Sequence, residues 1–421
     1  MASLLMANSI VRGATDQFFV TLCQSAASYQ AGLAAKLARA GLLRRVLRFG
    51  PQFQVLEPDA DGSLNVVTSS FLYELFNRYL WAGWGLLPRR EGSQIPIVAT
   101  TWLAGRMASA CVPRGGIFHG LPALALPSLR VRSGTSKSLL ENATLHPRHW
   151  QREVLHDCVE FGVSPKKCSA VLPSPLVRRL EQEYELCDAV VVPSTNAARS
   201  FEEAGLAHKT VVVEPGVDET FFCPAPNNTP SLAFRACFVG RIEISKGIGY
   251  LLQAWRRLAL PQAELVLVGP VHPEIKSVLR RYALSNVVLT GALPRQEVIK
   301  QYHSASLFIH PSANEGLGLV LLEAMACGIP VVATNRSGAN DCVTHGKDGL
   351  VVSARHVESL AEAMSWCFRH RYELPAMGAA ARQKVEQRFT RAQYEERQLA
   401  VYRRLAADGQ RAGIPSRSVG G

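Results

Sequence analysis

The chain has 421 residues, of which 48% are hydrophobic and 19% are charged, a balance typical of a globular protein rather than a disordered one. Its length favours two α/β domains of about 200 residues each over a single core. The formal net charge of +12 favours nucleic acid, anionic lipid or a phosphorylated substrate as a partner. Because no basic run is interleaved with aromatic residues, we expect no nucleic-acid partner.

Cysteine usage and hydropathy indicate the compartment. The ten cysteines are scattered and form no C-x-x-C pair, which predicts reduced core thiols in a cytosolic protein and no structural zinc site. Met1–Phe19 has no basic stretch ahead of its short apolar run, so it is a poor signal peptide. The sequence has no run of about 20 apolar residues. We therefore predict a cytoplasmic protein without a transmembrane helix.

The first predicted elements are a strand over Phe18–Cys23 and a helix over Ala31–Ala40. The helix and the residues after it have cations among apolar residues, namely Lys36, Arg39, Arg44, Arg45 and Arg48. Such a pattern is typical of peripheral contact with an anionic membrane at its cytoplasmic face. A charged outer face above an ordinary core explains the same pattern, and the sequence leaves both interpretations open.

Two later patterns in this half are ambiguous. Phe71–Leu87 contains Trp81 and Trp84 but is too polar to span a bilayer, so it predicts either an interfacial helix or a helix packed at the surface. Asp59-Ala60-Asp61 matches the D-x-D pattern of metal-binding sites. It lies in a cluster of Pro, Asp and Gly, which predicts a surface turn without a function.

The rest of the first half alternates between strands and helices. His146 is followed directly by Pro147, which suits the first turn of a helix, so His146 fits the start of that helix. Strands are predicted over Gly116–Gly120, Ser136–Leu145, Asp188–Ser194 and Thr210–Val213, and helices over Leu121–Val131, Pro175–Leu186 and Thr195–Ala204.

A proline-rich segment, Pro224–Pro230, has the composition of a linker and divides the chain. It predicts one domain over residues 1–223 and a second over 224–390, followed by a last segment over 391–421. The second domain opens with a strand over Leu232–Arg241. Arg241 and Lys246 follow the strand, where a guanidinium fork and an ammonium can grip phosphate oxygens. Because open α/β sheets bind ligands at the carboxyl ends of their strands, this pair predicts an anion site.

The most informative stretch is Leu307–Thr334, which predicts a strand, a loop, a helix from about Gly318 and a second buried strand. Glu315 lies in the loop and Glu323 in the second turn of the helix. Gly316 and Gly318 would let a ligand approach the backbone, and the free N–H groups of Gly318, Leu319 and Val320 suit an anion. Together these features predict a site for a phosphate and for hydroxyl groups.

Motifs for two other ligand classes are weak. The stretch Gly316-x-Gly318 continues with Leu321 where a dinucleotide fingerprint needs a third glycine, and no G-x4-G-K-[ST] motif occurs. The sequence therefore does not favour a dinucleotide-dependent oxidoreductase or a P-loop kinase.

The segment ANEGLGLVLLEAMACGIPVV, with its E-x7-E spacing, and the G-R…K-G pair resemble the family 4 glycosyltransferases, which are retaining enzymes. The resemblance implies the α/β GT-B fold, in which two Rossmann-like domains face each other across a cleft. The carboxyl-terminal helix, Gln393–Ala406, would then cross back to the first domain ahead of a frayed tail. The implied reaction moves a sugar from a nucleotide-diphosphate donor (UDP- or GDP-sugar) to an acceptor hydroxyl and needs no cofactor and no divalent metal.

The resemblance also implies roles for individual residues. Arg241 and Lys246 would stabilise the departing diphosphate, Glu315 would hold hydroxyls of the donor sugar, and Glu323 would hold the ribose. His146 would help to position the sugar or the acceptor, with His149 as a competitor for that role. The other residues expected to bind the donor are Gly240, Gly316, Leu317, Gly318, Leu319 and Val320.

The sequence leaves the acceptor open: a glycan, a lipid or a small molecule. Synthesis of a polysaccharide, another glycan or a glycolipid fits the resemblance. A nucleotide-sugar epimerase or a phosphorylase on the same fold is one alternative, and a non-catalytic binding member of the fold is another.

Overall fold

The computed structural model describes residues 18–25, 31–49, 53–58, 64–70, 105–106, 109, 115–132, 136–226 and 234–412. The predictions for Asp59-Ala60-Asp61, for Phe71–Leu87, for the first residues of the chain and for its last nine lie outside the described residues.

The described part of the first half forms a sheet of eight strands, the first sheet, with strand order β4-β3-β2-β1-β5-β6-β7-β8. Neighbouring strands are parallel except where β3 joins β2 and β4, which pair in the antiparallel sense. Strands β5 and β7 are buried along their whole length, as expected for strands covered on both faces. The strands are β1 (Val20–Ser25), β2 (Leu43–Phe49), β3 (Phe53–Pro58), β4 (Leu64–Ser70), β5 (Ile117–Gly120), β6 (Lys137–Glu141), β7 (Ala189–Val192) and β8 (Thr210–Val212).

The second half forms a parallel sheet of six strands within the described residues, the second sheet, with order β11-β10-β9-β12-β13-β14. The strand order reverses beside β9, which pairs with β10 on one side and with β12 on the other. A reversal of this kind opens a crevice at the carboxyl ends of the two central strands. The strands are β9 (Phe234–Val239), β10 (Ala263–Val268), β11 (Val287–Gly291), β12 (Leu307–His310), β13 (Val331–Thr334) and β14 (Gly349–Val352).

Helices cover the sheets. The predicted helix over Leu121–Val131 begins only at Leu126, after a turn, and the predicted strand over Ser136–Leu145 extends only over Lys137–Glu141. Arg44, Arg45 and Arg48, which follow the predicted first helix, lie in strand β2. The helices are α1 (Ala31–Arg39), α2 (Leu126–Val131), α3 (Pro147–Glu160), α4 (Ser174–Leu186), α5 (Thr195–Glu202), α6 (Ile248–Leu258), α7 (Lys276–Arg281), α8 (Arg295–His303), α9 (Leu319–Ala326), α10 (Ala339–Cys342), α11 (Val357–Arg369), α12 (Leu374–Arg388) and α13 (Arg391–Ala412).

Helix α13 returns to the first sheet, where Tyr394, Leu399 and Tyr402 join the core formed by β1, β2 and β5. None of the described helices is long and apolar enough to cross a membrane. The nine described cysteines are buried except for the half-buried Cys223, as the sequence predicts for core residues.

The basic amino-terminal stretch is partly neutralised in the structure. Lys36 pairs with Glu396 of α13, and Arg45 pairs with Glu57 of the neighbouring strand. These pairs fit a charged outer face above an ordinary core. Peripheral membrane contact stays a prediction.

Candidate functional site

A cavity of about 350 Å³, the cleft cavity, lies where the carboxyl ends of strands from both sheets meet. The second sheet contributes the ends of β9 and β12, which are the two strands at its order reversal. The first sheet contributes the ends of β6 and β7. The lining residues are Glu141, Asn142, Ala143, Thr144, Val191, Val192, Pro193, Val213 and Pro215 from the first half and Val239, Gly240, Arg241, Lys246, His310, Glu315, Leu317, Leu319 and Val320 from the second.

Three side chains form the charged centre of this cavity. Lys246 Nζ lies 2.7 Å from Glu315 Oε1. His310 Nε2 donates to Glu315 Oε2 at 2.8 Å, since an ionised carboxylate can only accept. The sequence predicted that Lys246 and Glu315 face one crevice, and the structure brings them into direct contact. His310 was missed, although it ends a predicted strand directly before the Glu315 loop.

A single glycine allows this contact. Lys246 ends a short 3-10 turn, and Gly247 follows it with φ +69°. A Cβ at Gly247 would lie 2.1 Å from the carbonyl oxygen of Pro311, so no larger residue fits without moving the backbone. The close approach of the two loops therefore depends on this position.

Glu315 is ionised at neutral pH. Burial would raise the pKa of its carboxyl, but the Lys246 ammonium and the His310 ring outweigh burial and hold the pKa well below its usual range. Lys246 therefore has an anionic partner that a bound phosphate would have to displace or share.

Arg241 is the second cation in the cleft cavity. Its side chain is about half exposed, at 52%, and its Nη2 lies 3.1 Å from Glu243 Oε1. Because one partner occupies only part of the guanidinium fork, Arg241 retains donors for a ligand. Arg241 and Lys246 can together grip two phosphate groups.

The start of helix α9 differs in detail from its prediction. Leu319 and Val320 line the cleft cavity, but the N–H of Gly318 points at the carbonyl oxygen of Ser337 at 3.4 Å and is not free. We therefore correct the predicted set of three free amides to those of Leu319 and Val320.

Gly316 and Gly318 are required for a different reason from the one predicted. A Cβ at Gly316 would lie 2.6 Å from the carbonyl oxygen of Ala143, and a Cβ at Gly318 would lie 2.5 Å from Nε2 of His310. Protein atoms, rather than a ligand, occupy the space that these glycines leave. Neither glycine is among the residues that line the cleft cavity.

Glu323 lies one helical turn further on and is not among the lining residues. Its Oε2 accepts a hydrogen bond from the hydroxyl of Tyr302 at 3.0 Å, and burial raises the pKa of its carboxyl. Its proposed contact with a ribose stays a prediction.

The structure places His146 elsewhere than the resemblance implies. It precedes helix α3 directly, is buried, and packs against Tyr184 and Phe201 at ring-centroid distances of 6.1 and 5.3 Å. Burial lowers the pKa of its imidazole to about 4, so the ring is neutral at physiological pH. This placement is a correction in favour of the alternative reading, a helix-start histidine. The competitor His149 pairs with Glu203, with Nδ1 2.9 Å from Oε2.

The first half supplies a carboxylate that the sequence analysis missed. Glu141 ends β6, lines the cleft cavity and accepts a hydrogen bond from Tyr394 at 2.9 Å. His119 Nε2 lies 3.1 Å from its other oxygen, and His119 Nδ1 lies 2.6 Å from the hydroxyl of Tyr402. The predicted strand over Ser136–Leu145 places Glu141 inside the strand, and only the structure shows that the strand ends at this residue.

Direct bonds hold the Glu315 loop against the first half. Ser194 Oγ donates to the carbonyl oxygen of Gly316 at 2.5 Å, and Asn196 Nδ2 donates to that of Glu315 at 3.0 Å. Asp341 accepts from the N–H and hydroxyl of Thr195 at 3.2 and 3.0 Å. The three first-half residues lie at the start of helix α5, whose Ser194 also caps it. The site loop is therefore positioned by both halves.

Two α/β halves, each a sheet covered by helices, face each other with a ligand-sized cleft between the carboxyl ends of their strands. This arrangement defines the GT-B fold. The computed structure superposes on sucrose-phosphate synthase from Thermosynechococcus elongatus with TM-score 0.64 and 21% identity, covering 93% of this chain and 100% of that one. It also superposes on Anabaena HepE in complex with UDP, with TM-score 0.57 and 18% identity, covering 91% and 98%. At these identities the likeness shows the fold.

Residues 233–370 match the family described as Glycosyl transferases group 1. The D-inositol 3-phosphate glycosyltransferase of Kribbella flavida is 33% identical over 219 residues, which are 46% of this chain and 52% of that protein. The chain thus spans about half the length of this curated relative. The matched family region contains Arg241, Lys246, Glu315 and Glu323.

Proposed function

We propose that the protein is a retaining glycosyltransferase that moves a sugar from a UDP- or GDP-sugar to an acceptor hydroxyl. The observation that carries this proposal is the cleft cavity, where Arg241, Lys246 and Glu315 converge at the strand-order reversal. The family match over residues 233–370 supports the same reading. So does the Kribbella relative, whose name gives a glycosyltransferase activity. HepE, which shares the fold, was solved with UDP.

The two cations would stabilise the leaving group. As the bond between sugar and diphosphate breaks, negative charge grows on the phosphate oxygens, and preorganised donors at that position lower the barrier. Lys246 would turn its ammonium from Glu315 toward the phosphate, while Arg241 would offer paired N–H groups. The amides of Leu319 and Val320 at the start of helix α9 would add a partial positive charge.

Glu315 would orient the donor sugar. Its carboxylate is ionised and held by His310, so it accepts hydrogen bonds from sugar hydroxyls without first losing a proton. His310 fixes one carboxylate oxygen, which leaves the lone pairs directed toward the cavity for the ligand. Glu323, oriented by Tyr302, would accept from ribose hydroxyls beyond the cavity lining.

We further propose that transfer needs no metal at the diphosphate. The charge that a divalent ion supplies in other transferases would come here from Arg241 and Lys246, which line the cavity. Transfer that continues in excess EDTA would support this proposal, and transfer that stops and is restored by Mg²⁺ or Mn²⁺ would overturn it.

The acceptor would enter from the first half. A second cavity of about 310 Å³ shares Asn142, Thr144 and Arg241 with the cleft cavity. Its other walls are largely apolar and aromatic, which suits the stacking face of a sugar or the apolar part of a lipid. They are formed by Pro122, Leu145, Pro147, Trp150, Ser169, Ala170, Leu172, Leu180 and Tyr184.

The test is a thermal-shift screen of UDP- and GDP-sugars, followed by transfer assays with the sugar nucleotides that raise the melting temperature. NMR of the product should show the same anomeric configuration as the donor. An inverted anomer would refute the retaining reaction. Donor consumed without an acceptor indicates an epimerase, and binding without turnover indicates a non-catalytic member. No shift with any sugar nucleotide would overturn the proposal.

A further inference from the structure

Behind Arg241, outside both cavity linings, three side chains with metal-ligating atoms converge: Glu243, His272 and Glu274. One ligating atom from each residue lies within 4.8 Å of those of the other two. Glu243 follows β9, whereas His272 and Glu274 follow β10. Glu243 is 29 positions from His272 in the chain, so the fold, rather than a local motif, brings it to His272 and Glu274.

Backbone bonds fix the two segments side by side. The N–H of Ile242 donates to the carbonyl oxygen of Pro270 at 2.9 Å, and the N–H of His272 donates to that of Ile242 at 3.0 Å. These bonds extend the pairing of β9 and β10 beyond the strands. The three ligating side chains therefore start from rigid backbone, as a preorganised binding site requires.

One oxygen in the cluster has no hydrogen-bond partner. Glu243 is completely buried, and its Oε1 accepts from Ser245 Oγ at 2.6 Å and lies 3.1 Å from Arg241 Nη2. Its Oε2 is buried without a hydrogen-bond partner and lies 3.9 Å from His272 Nδ1. A buried, unsatisfied carboxylate oxygen is costly, and a cation at this position would remove the cost.

The remaining distances also suit an ion. His272 Nδ1 lies 3.9 Å from Glu274 Oε1 as well, which is too far for a hydrogen bond. Two ligands of one tetrahedral ion, each at about 2.1 Å from it, lie about 3.4 Å apart, so each of these two 3.9 Å distances would have to shorten by about half an ångström. Ser169 of the first half contacts Nδ1 of His272 and Oε1 of Glu274, both at 2.9 Å. Rotation of the Ser169 hydroxyl would free His272 Nδ1 and Glu274 Oε1 to bind an ion.

We propose that Glu243, His272 and Glu274 bind one divalent transition-metal ion, with Zn²⁺ as the probe. Two carboxylates supply the negative charge, and the imidazole favours a transition metal over Mg²⁺ or Ca²⁺. His272 is partly exposed, with 22% of its side chain accessible, and provides the entry route. None of the three residues lines the cleft cavity, so this site is separate from the diphosphate position proposed above.

The experiment uses the full chain without a tag, stripped with EDTA and titrated with Zn²⁺ by calorimetry. We expect one ion per chain and a melting temperature that rises with Zn²⁺ but not with equimolar Mg²⁺. His272→Gln and Glu274→Gln should each weaken the affinity for Zn²⁺ at least about 10-fold, because loss of a direct ligand costs no less than loss of an outer partner. The matched controls are His208→Gln, at an exposed residue, and Glu264→Gln, at a half-buried residue that pairs with Arg235; both should bind as the wild type does.

Co²⁺ substitution separates this site from adventitious binding by thiols. The expected absorption spectrum has visible d–d bands without the near-ultraviolet band of a sulfur-to-cobalt charge transfer. Circular dichroism melts in EDTA show whether each variant folds. The proposal is overturned if the wild type binds no stoichiometric Zn²⁺, if the spectrum shows thiolate ligation, or if either folded variant keeps wild-type affinity.

Discussion

The second sheet and the first sheet meet at one cavity but contribute different chemistry to it. The second sheet is parallel throughout, and its residues Lys246, His310 and Glu315 supply the charged centre, with Arg241 as a second cation. The first sheet adds an antiparallel edge and contributes mostly apolar and amide-bearing walls, with Glu141 as its carboxylate. The family match is confined to residues 233–370 and so covers only the second contribution.

In the proposed reaction, this difference would separate the recognition of the donor from that of the acceptor. Binding a diphosphate would need a few charges at strand ends, and these come from one sheet. Recognition of an acceptor would depend on the shape of the second cavity, which has Trp150 and Tyr184 in its wall. The hydrogen bonds from Ser194 and Asn196 to the Glu315 loop connect the two halves.

The largest effect should come from removing one of the two cations that the second sheet contributes to the cavity. Arg241→Ala and Lys246→Ala should each reduce kcat by roughly 100- to 1,000-fold, or about 3–4 kcal/mol, because each removes a charge that stabilises the departing diphosphate. Steady-state kinetics with a donor found in the thermal-shift screen measures the effect. Arg257→Ala is the control, since Arg257 is 61% exposed on helix α6 and pairs with Glu358. Wild-type rates in both site variants would place the chemistry elsewhere.

A change on the first-sheet side should act on stability instead of chemistry. The pKa of His146 is about 4 in the fold against a reference value of 6.5, so the unfolded chain binds a proton between these values that the folded chain does not. The free energy of unfolding should therefore decrease as the pH is lowered from about 6.5 to 4. The contribution of His146 to this decrease is up to roughly 3 kcal/mol. His146→Phe, which suits the contacts with Tyr184 and Phe201, should flatten that dependence.

Urea unfolding at pH 7.5, 5.5 and 4.5 measures this pH dependence. His156→Gln, at a side chain that is 57% exposed, should leave it unchanged. We expect donor kinetics of His146→Phe near those of the wild type at pH 7.5. A large loss of kcat with unchanged stability would return His146 to a role in the reaction.

The smallest expected effect concerns Glu323. This residue belongs to the second half of the chain but is not among the residues that line the cleft cavity. Glu323→Gln should raise the KM for the donor roughly tenfold, or by about 1.5 kcal/mol, with little change in kcat, because it weakens charge-assisted hydrogen bonds to the ribose. Tyr302→Phe removes the hydroxyl that orients the carboxylate and should show a weaker effect in the same direction. An unchanged KM in Glu323→Gln would remove the ribose contact from the proposal.

Much of the second half could be predicted from the sequence. The apolar runs around Leu307 and Val331 lack polar alternation, and Gly328 and Pro330 stop the helix between them, so the strand–loop–helix–strand order follows from neighbouring residues. Because parallel strands present their carboxyl ends at one edge, this order also places Arg241, Lys246 and Glu315 at one crevice.

Only the tertiary structure decided which atoms fill the space around those residues. It buried His146 among aromatic rings, bonded His310 to Glu315, and showed that Gly316 and Gly318 make room for Ala143 and His310. It also brought Glu243 beside His272 and Glu274. Periodicity and turn residues act between near neighbours along the chain, and so they are legible in the sequence. Contacts between distant segments depend on how the two sheets pack against each other. A single sequence carries no local pattern that shows which distant residues will meet.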